Sequence, residues 1–159
     1  MNDLTIRTAT PKDVAIVMDH RRKMFLDIGY TDENALAAME ESAEPFFKNG
    51  LANGSYHAWF VENGEKRVVA GGGVIVLKYP ASVREPHPTR ATIVNMYTER
   101  EYRRRGLAKT LMETMIEWCR KEGFRAISLH ASPDGRPLYE SLGFLPTNEM
   151  RLMLKESKK

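Results

Sequence analysis

The chain holds one cysteine, Cys119, in 159 residues. That excludes an internal disulfide framework and any cysteine-rich metal site. Its four histidines are scattered, with no His/Cys pair at ligand spacing, so no metal is expected. No apolar run approaches the length of a membrane span. The opening residues, Met1-Asn2-Asp3-Leu4-Thr5-Ile6-Arg7, show no basic-then-apolar leader. The expectation is therefore a cytoplasmic chain that does not bind membrane. Charge of one sign is also scarce: 24 Lys and Arg against 21 Asp and Glu leave a net charge of +3. Nucleic-acid binders usually show a larger and more segregated basic excess, so no nucleic-acid partner is expected. Repeats, low-complexity stretches and linkers are missing too, and the length suits one domain over residues 1–159.

What the chain does have is an ordinary globular composition, 42% apolar and 28% charged, and enough length to bury a core. Residues 4–9 alternate apolar and polar and read as a strand. Thr10 caps a helix with Pro11 at its first position and Gly29 at its end. A second helix opens at Thr31-Asp32-Glu33, with Gly50 as its stop. Residues 54–61 and 67–77 read as strands joined by a hairpin at Asn63-Gly64. Gly71-Gly72-Gly73 interrupts the second of these, which predicts a bulge or a close backbone approach. Either an acceptor passes over bare backbone there or the sheet simply bends. Residues 78–88, with three prolines, form a loop, and residues 89–98 return as a strand. In 107–120, Leu107, Leu111, Met115 and Cys119 recur every four residues, the stripe of an amphipathic helix that Gly123 ends. A strand over 125–130, a short helix over 135–142 and a last extended segment over 144–154 complete the order β-α-α-β-β-β-α-β-α-β. This is an α/β class with helices on both faces of one mixed sheet.

The stretch Arg103-Arg104-Arg105-Gly106-Leu107-Ala108 lies between a strand and that amphipathic helix. The first turn of a helix carries backbone N–H groups without partners, and its dipole favours negative charge. Gly106 lets a ligand approach the backbone. The arginines add permanent charge and forked donors suited to phosphate oxygens.

Arg103, Gly106 and Ala108 match the acyl-CoA loop motif of the GNAT superfamily of N-acetyltransferases: Arg or Gln, two residues, Gly, one residue, then Gly or Ala. Leu138-Tyr139 followed by Gly143-Phe144 matches a second element of that family, in the right order, with a helix and a strand between. The chain resembles this family strongly over residues 92–144 and in element order over nearly its whole length. Two departures stand out: Arg100 where the family often has proline, and Ser132 where many members have asparagine.

The resemblance implies an acetyl-CoA-dependent N-acetyltransferase. Its acceptor would be a primary amine of a small molecule or peptide, attacking directly in a ternary complex. The coenzyme's phosphates would meet Arg103, Arg104, Arg105, Gly106, Leu107, Ala108 and Lys109. Its pantetheine arm would pair with Met96, Tyr97 and Thr98, with Ser132 and Tyr139 completing the cofactor site. The Met96 backbone N–H would face the thioester carbonyl, and Tyr139 would protonate the departing thiolate. Tyr139 has a second reading, as packing between helix and sheet beside Leu138 and Phe144.

The general base is open among Glu99, Glu101, His57, His130 and water. Asn95, polar in an apolar strand, would bond the acceptor or fix the strands' splay. Cys119 reads as core. Arg21-Arg22-Lys23 is a charge run on the first helix; turned inward, it would favour an acidic acceptor or acyl group. Many GNAT members are dimers, so a homodimer is compatible with the resemblance. The alternatives are a CoA-binding sensor or interaction module of the same fold without turnover, and a nucleic-acid binder using residues 100–105. Glu99 and Glu101 argue against the latter.

Overall fold

The computed structural model describes residues 3–156. The basic tail over 155–159 therefore lies outside the described residues from 157 onward. Strand β1 (Thr5–Thr8) leads into a single 3-10 turn and helix α1 (Val14–Ile28), then α2 (Glu33–Asn53). Strands β2 (Tyr56–Glu62), β3 (Val68–Lys78) and β4 (Thr89–Thr98) follow, then α3 (Leu107–Lys121), β5 (Ile127–Leu129) and α4 (Arg136–Ser141). The five strands form one sheet in the order β1-β2-β3-β4-β5. The first four are antiparallel, and β5 runs parallel to β4.

Local chemistry sets the helix ends. Thr10 and Asp13 form a capping box: Thr10 Oγ1 accepts from the Lys12 N–H at 3.3 Å and Asp13 Oδ2 from the Thr10 N–H at 2.8 Å. Arg7 donates to Asp13 at 2.8 Å and also pairs with Glu62, tying β1 to the start of α1 and to β2. Asp32 caps α2 through the N–H groups of Asn34 and Ala35. Gly29, at φ 110°, ends α1 in the left-handed conformation.

Side chains alternate across the sheet and sort into two cores. Tyr56, Ala58 and Phe60 pack with Val17, Met18 and Phe47 beneath α1 and α2. Trp59, Val61, Val69 and Val74 pack with Leu111, Met112, Met115 and Cys119 beneath α3. The helices thus cover both faces, as the sequence predicts.

Three expectations need correction. Gly50 does not stop α2, which runs on to Asn53 with Gly54 as its left-handed cap. A Cβ at Gly50 would lie 2.6 Å from Tyr56 Cβ, so this glycine lets the start of β2 pass close to the helix. The hairpin is not a two-residue Asn-Gly turn. It spans residues 63–67, closed by the Asn63 N–H to the Arg67 carbonyl at 3.0 Å, and Lys66 rather than Gly64 takes positive φ. Asn63 Oδ1 accepts from the N–H groups of Glu65 and Arg67, and this side-chain bonding holds the longer loop. Finally, the last extended segment forms no strand among the described residues. Met150, Leu152 and Leu154 have strand periodicity but lie exposed, beside a β5 that offers only the residues Ile127–Leu129 for pairing.

The triple glycine does coincide with a bulge, and the extra residue is in β4. Gly71 pairs with Tyr97 and Gly73 with Val94, so Asn95 and Met96 together oppose Gly72. The glycines are covered by side chains, not bare. Added Cβ atoms would meet Phe60 at 2.7 Å from Gly71, Met96 Sδ at 2.2 Å from Gly72 and Tyr56 at 2.4 Å from Gly73. Gly73→Ala should therefore overpack the buried Tyr56 ring and lower unfolding free energy by about 1–3 kcal/mol. Urea denaturation checks this; an unchanged midpoint would show that the ring yields freely.

Candidate active site

Beyond Ile93, β4 and β5 part. β5 pairs only with Ala91, Thr92 and Ile93, so among the described residues Val94, Asn95, Met96, Tyr97 and Thr98 have no strand partner on that side. The bulge sits at the mouth of this splay. Asn95 takes φ 62°, a left-handed conformation that asparagine tolerates better than most residues. Its buried amide donates to the Val17 carbonyl at 3.0 Å and accepts from Arg21 at 3.4 Å. Of its two sequence readings, Asn95 thus fixes the backbone, by pinning the bulge to α1.

The chain then turns through the arginine loop into α3. Arg104, at φ 59°, and Gly106, at φ 78°, are both left-handed and curve the loop around the helix end. Among the described residues, no backbone N–H from Arg104 to Lys109 donates a hydrogen bond. The first internal bond of α3 runs from the Thr110 N–H to the Gly106 carbonyl at 3.1 Å. Six consecutive amides at a helix N-terminus are a ready anion cradle. A Cβ built on Gly106 meets nothing within 4 Å, so the space above it is open.

The arginines of this loop divide. Arg103 is bound within the protein: it donates to the Thr98 carbonyl at 2.9 Å and to Asp27 at 2.5 Å. Arg100 donates to the other Asp27 oxygen at 3.0 Å. Partial burial pushes the Asp27 carboxyl up, but hydrogen bonds from Arg103 and Arg100 outweigh it and hold the pKa below its ordinary value. Asp27, at the end of α1, carries no sequence signal and appears only because the fold brings α1 beside the loop. Arg104 and Arg105 are exposed; Arg105 lies over the Tyr102 ring at 5.0 Å.

Tyr139 on α4 is half-buried, stacked edge-to-face on Phe144 with centroids 6.0 Å apart. A Cβ on Gly135 would approach its ring at 2.8 Å, so that glycine admits the tyrosine. Burial raises the phenol's pKa, and Tyr139 stays protonated at neutral pH. Tyr139 and Met96 both pack against the core under α3. Ser132 is occupied locally: its hydroxyl accepts from the Gly135 N–H at 3.2 Å and its carbonyl from Arg136 at 3.0 Å, supporting the start of α4.

The base candidates are scattered. His57 bonds the Gly54 carbonyl at 2.9 Å and stacks on Trp118 with centroids 4.4 Å apart. Glu101 pairs with Arg67 at 2.9 Å. His130 is exposed beside Arg151 and Glu149. Glu99 is buried and bonds the Tyr97 hydroxyl at 3.3 Å and Lys23 at 2.7 Å. Cys119 is buried, its thiol pushed up to about 11 by desolvation, as a core residue should be.

One cluster escaped the sequence reading. Ligand atoms of Asp19, His20 and Glu99 lie within 4.8 Å of one another. The Lys23 ammonium bonds both carboxylates, at 2.9 and 2.7 Å, and so already fills the position a cation would take. Burial pushes His20 down to about 4, against the pull of Asp19 and Glu99. The cluster lines an open groove of about 410 Å³, and a second groove of about 420 Å³ lies by Lys78 and Tyr79. Neither groove is lined by residues of the splay.

Residues 17–144 match the family model described as Acetyltransferase (GNAT) family. Human N-acetyltransferase 8 is 29% identical over 94 residues, 57% of this chain, and the chain spans only 39% of that protein's length. A GCN5-related N-acetyltransferase from Ralstonia eutropha is 32% identical, with a TM-score of 0.88, covering 95% of this chain and 98% of its own. A predicted acetyltransferase from Clostridium acetobutylicum, solved with acetyl-CoA, is 25% identical, with a TM-score of 0.86, over 94% of this chain and 95% of its own.

The Asp27 pairs make a direct test of the loop's anchorage. Asp27→Asn should speed amide hydrogen exchange over residues 100–105. The pairs are solvent-screened, so the stability loss should stay below about 1 kcal/mol. Unchanged exchange would mean that Arg103 is held by the Thr98 carbonyl alone.

Proposed function

The chain belongs to the acetyltransferase (GNAT) family, and from that premise we propose that it is an acetyl-CoA-dependent N-acetyltransferase. Its acceptor is a primary amine of a small molecule or peptide, attacking directly in a ternary complex within one domain. The observation that carries this reading is the row of unpartnered amides from Arg104 to Lys109, opening beside the splay of β4 and β5. The coenzyme supplies an activated acetyl thioester. Its pyrophosphate matches the donor row in charge and hydrogen-bonding need. The side of β4 without a strand partner at Met96, Tyr97 and Thr98, where Arg103 holds only the Thr98 carbonyl, would offer extended backbone to the amide-bearing pantetheine arm.

The chain's own groups would then act as follows. Arg104 and Arg105, exposed and without carboxylate partners among the described residues, contribute charge to the phosphates. Arg103 has a different task, holding the loop against α1. With the bulge at Asn95 and Met96 beside the splay, the Met96 N–H would face the thioester carbonyl and stabilise the developing oxyanion. Tyr139 is protonated, and its hydroxyl has no hydrogen-bond partner among the described residues, so it is free to serve the thiolate. Most base candidates have other partners, which favours bulk water as the acceptor of the amine's proton. Among the described residues no helix is long and apolar enough to cross a membrane.

Two measurements test the assignment. Replacing both Arg104 and Arg105 by Gln should weaken acetyl-CoA binding and flatten its dependence on salt, since screening acts on exposed charge. A salt slope that survives would place the phosphates elsewhere. Tyr139→Phe keeps the ring and removes the proton. It should lower kcat by about 10²–10⁴-fold where chemistry is rate-limiting, with little change in acetyl-CoA affinity. Full turnover in that variant would leave solvent as the proton source and packing as the tyrosine's role.

A further inference from the structure

Arg21, Arg22 and Lys23 are consecutive on α1, and the fold treats them differently. Arg22 pairs with Glu33 at 2.5 Å and Glu40 at 3.1 Å. Lys23 pairs with Asp19 at 2.9 Å and Glu99 at 2.7 Å. Arg21 turns inward instead. Its guanidinium lies 5.2 Å from the centroids of both Phe25 and Phe47. Among the described residues its one hydrogen bond is a long one, 3.4 Å to the Asn95 amide oxygen. Its Nε is buried without a hydrogen-bond partner among the described residues. No carboxylate among the described residues bonds it, and desolvation lowers its pKa with only the Tyr56 hydroxyl opposing.

A guanidinium stays charged at any physiological pH. Held against aromatic walls with a buried N–H unsatisfied, it carries an uncompensated cost that an incoming anion would offset. Its place decides which anion. Arg21 bonds Asn95, the bulge residue directly before Met96 in the chain. It approaches the bulge from α1, on the face opposite α3. The row of amides at the start of α3 leaves the coenzyme phosphates no need of Arg21. The unfilled valence therefore falls to the acceptor.

Resting on the acetyltransferase reading, we propose that Arg21 determines acceptor specificity, by binding the carboxylate of an amine that carries both groups, as an α-amino acid does. A single guanidinium with no second cation bonded beside it suits a monoanion better than a phosphate dianion, and its planar fork matches a carboxylate in two parallel hydrogen bonds. The partly exposed Phe25 ring that flanks it offers an apolar wall for the same molecule, while Phe47 closes the pocket from the core side.

The test compares L-amino acids with their carboxamides and with the corresponding aminoalkyl phosphonates as acceptors, on the full chain with acetyl-CoA. A carboxamide lowers the basicity of its amine and supplies more free base near neutral pH, so any bias in the comparison runs against the proposal. Wild-type protein should favour the free acids by at least about tenfold in kcat/KM, since an unmatched buried polar group discriminates strongly. Arg21→Gln should erase that preference, and Arg21→Lys should restore part of it. Acetyl-CoA affinity, read by calorimetry, should be unchanged in both variants.

Equal or better turnover of carboxamides or phosphonates by the wild type would overturn the carboxylate assignment and leave acetyl transfer standing. If no amine turns over, binding of N-acetyl-L-amino acids to the CoA complex decides. Binding lost in Arg21→Gln would support the proposal, and absence of binding to the wild type would overturn it. Failure of the wild type to bind acetyl-CoA would instead remove the acetyltransferase reading.

Discussion

Everything at the candidate site depends on the two-against-one mismatch between β4 and β3. Asn95 and Met96 stand opposite Gly72, and the register resumes on either side. The mismatch needs space on β3 that only glycine leaves. With any side chain at residue 72, the Met96 thioether could not lie where it does. It also needs a residue able to take positive φ inside a strand and to satisfy itself when buried. Asn95 does both, bonding the Val17 carbonyl and accepting from Arg21. The bulge lies just past the last β5 pairing, at Ile93, so backbone that would otherwise continue the ladder faces an open slot.

The same economy governs the loop after β4. A helix N-terminus is an anion site only if its surroundings hold it still and leave its amides free. Here the stillness comes from Arg103 and Arg100 on Asp27, while the freedom comes from left-handed turns at Arg104 and Gly106 that aim the loop outward. One helix, α1, thereby contacts both the bulge and the arginine loop. Its Val17 carbonyl and Arg21 meet the bulge, and its Asp27 meets the arginine loop. A shift of α1 would disturb both together, since both are tied to one rigid element.

Much of this was legible in the residues. The cap at Thr10, the opening of α2 at residues 31–33, the stop at Gly29, the stripe of α3 and the limits of β4 follow from local chemistry that needs no partner. Where sequence reasoning failed, tertiary packing had overruled a local cue. Gly50 signals a helix end in isolation, yet it serves close approach to Tyr56. Asn63-Gly64 signals a tight turn, yet the Asn63 side chain holds a longer one. Met150, Leu152 and Leu154 alternate as a strand does, but a strand exists only where a neighbour offers a ladder.

By itself, then, the sequence determined the family motifs, the order of the elements up to α4 and the amphipathic faces. All of these rest on short-range spacing, which a chain carries with it before folding. Only the tertiary structure decided which charges are free. Arg103 and Arg21 are alike on the page as arginines in basic runs. One finds Asp27 across 76 residues of chain; the other finds two phenyl rings and no carboxylate. Pairing of charges depends on distances through space, and those exist only once the helices have packed on the sheet.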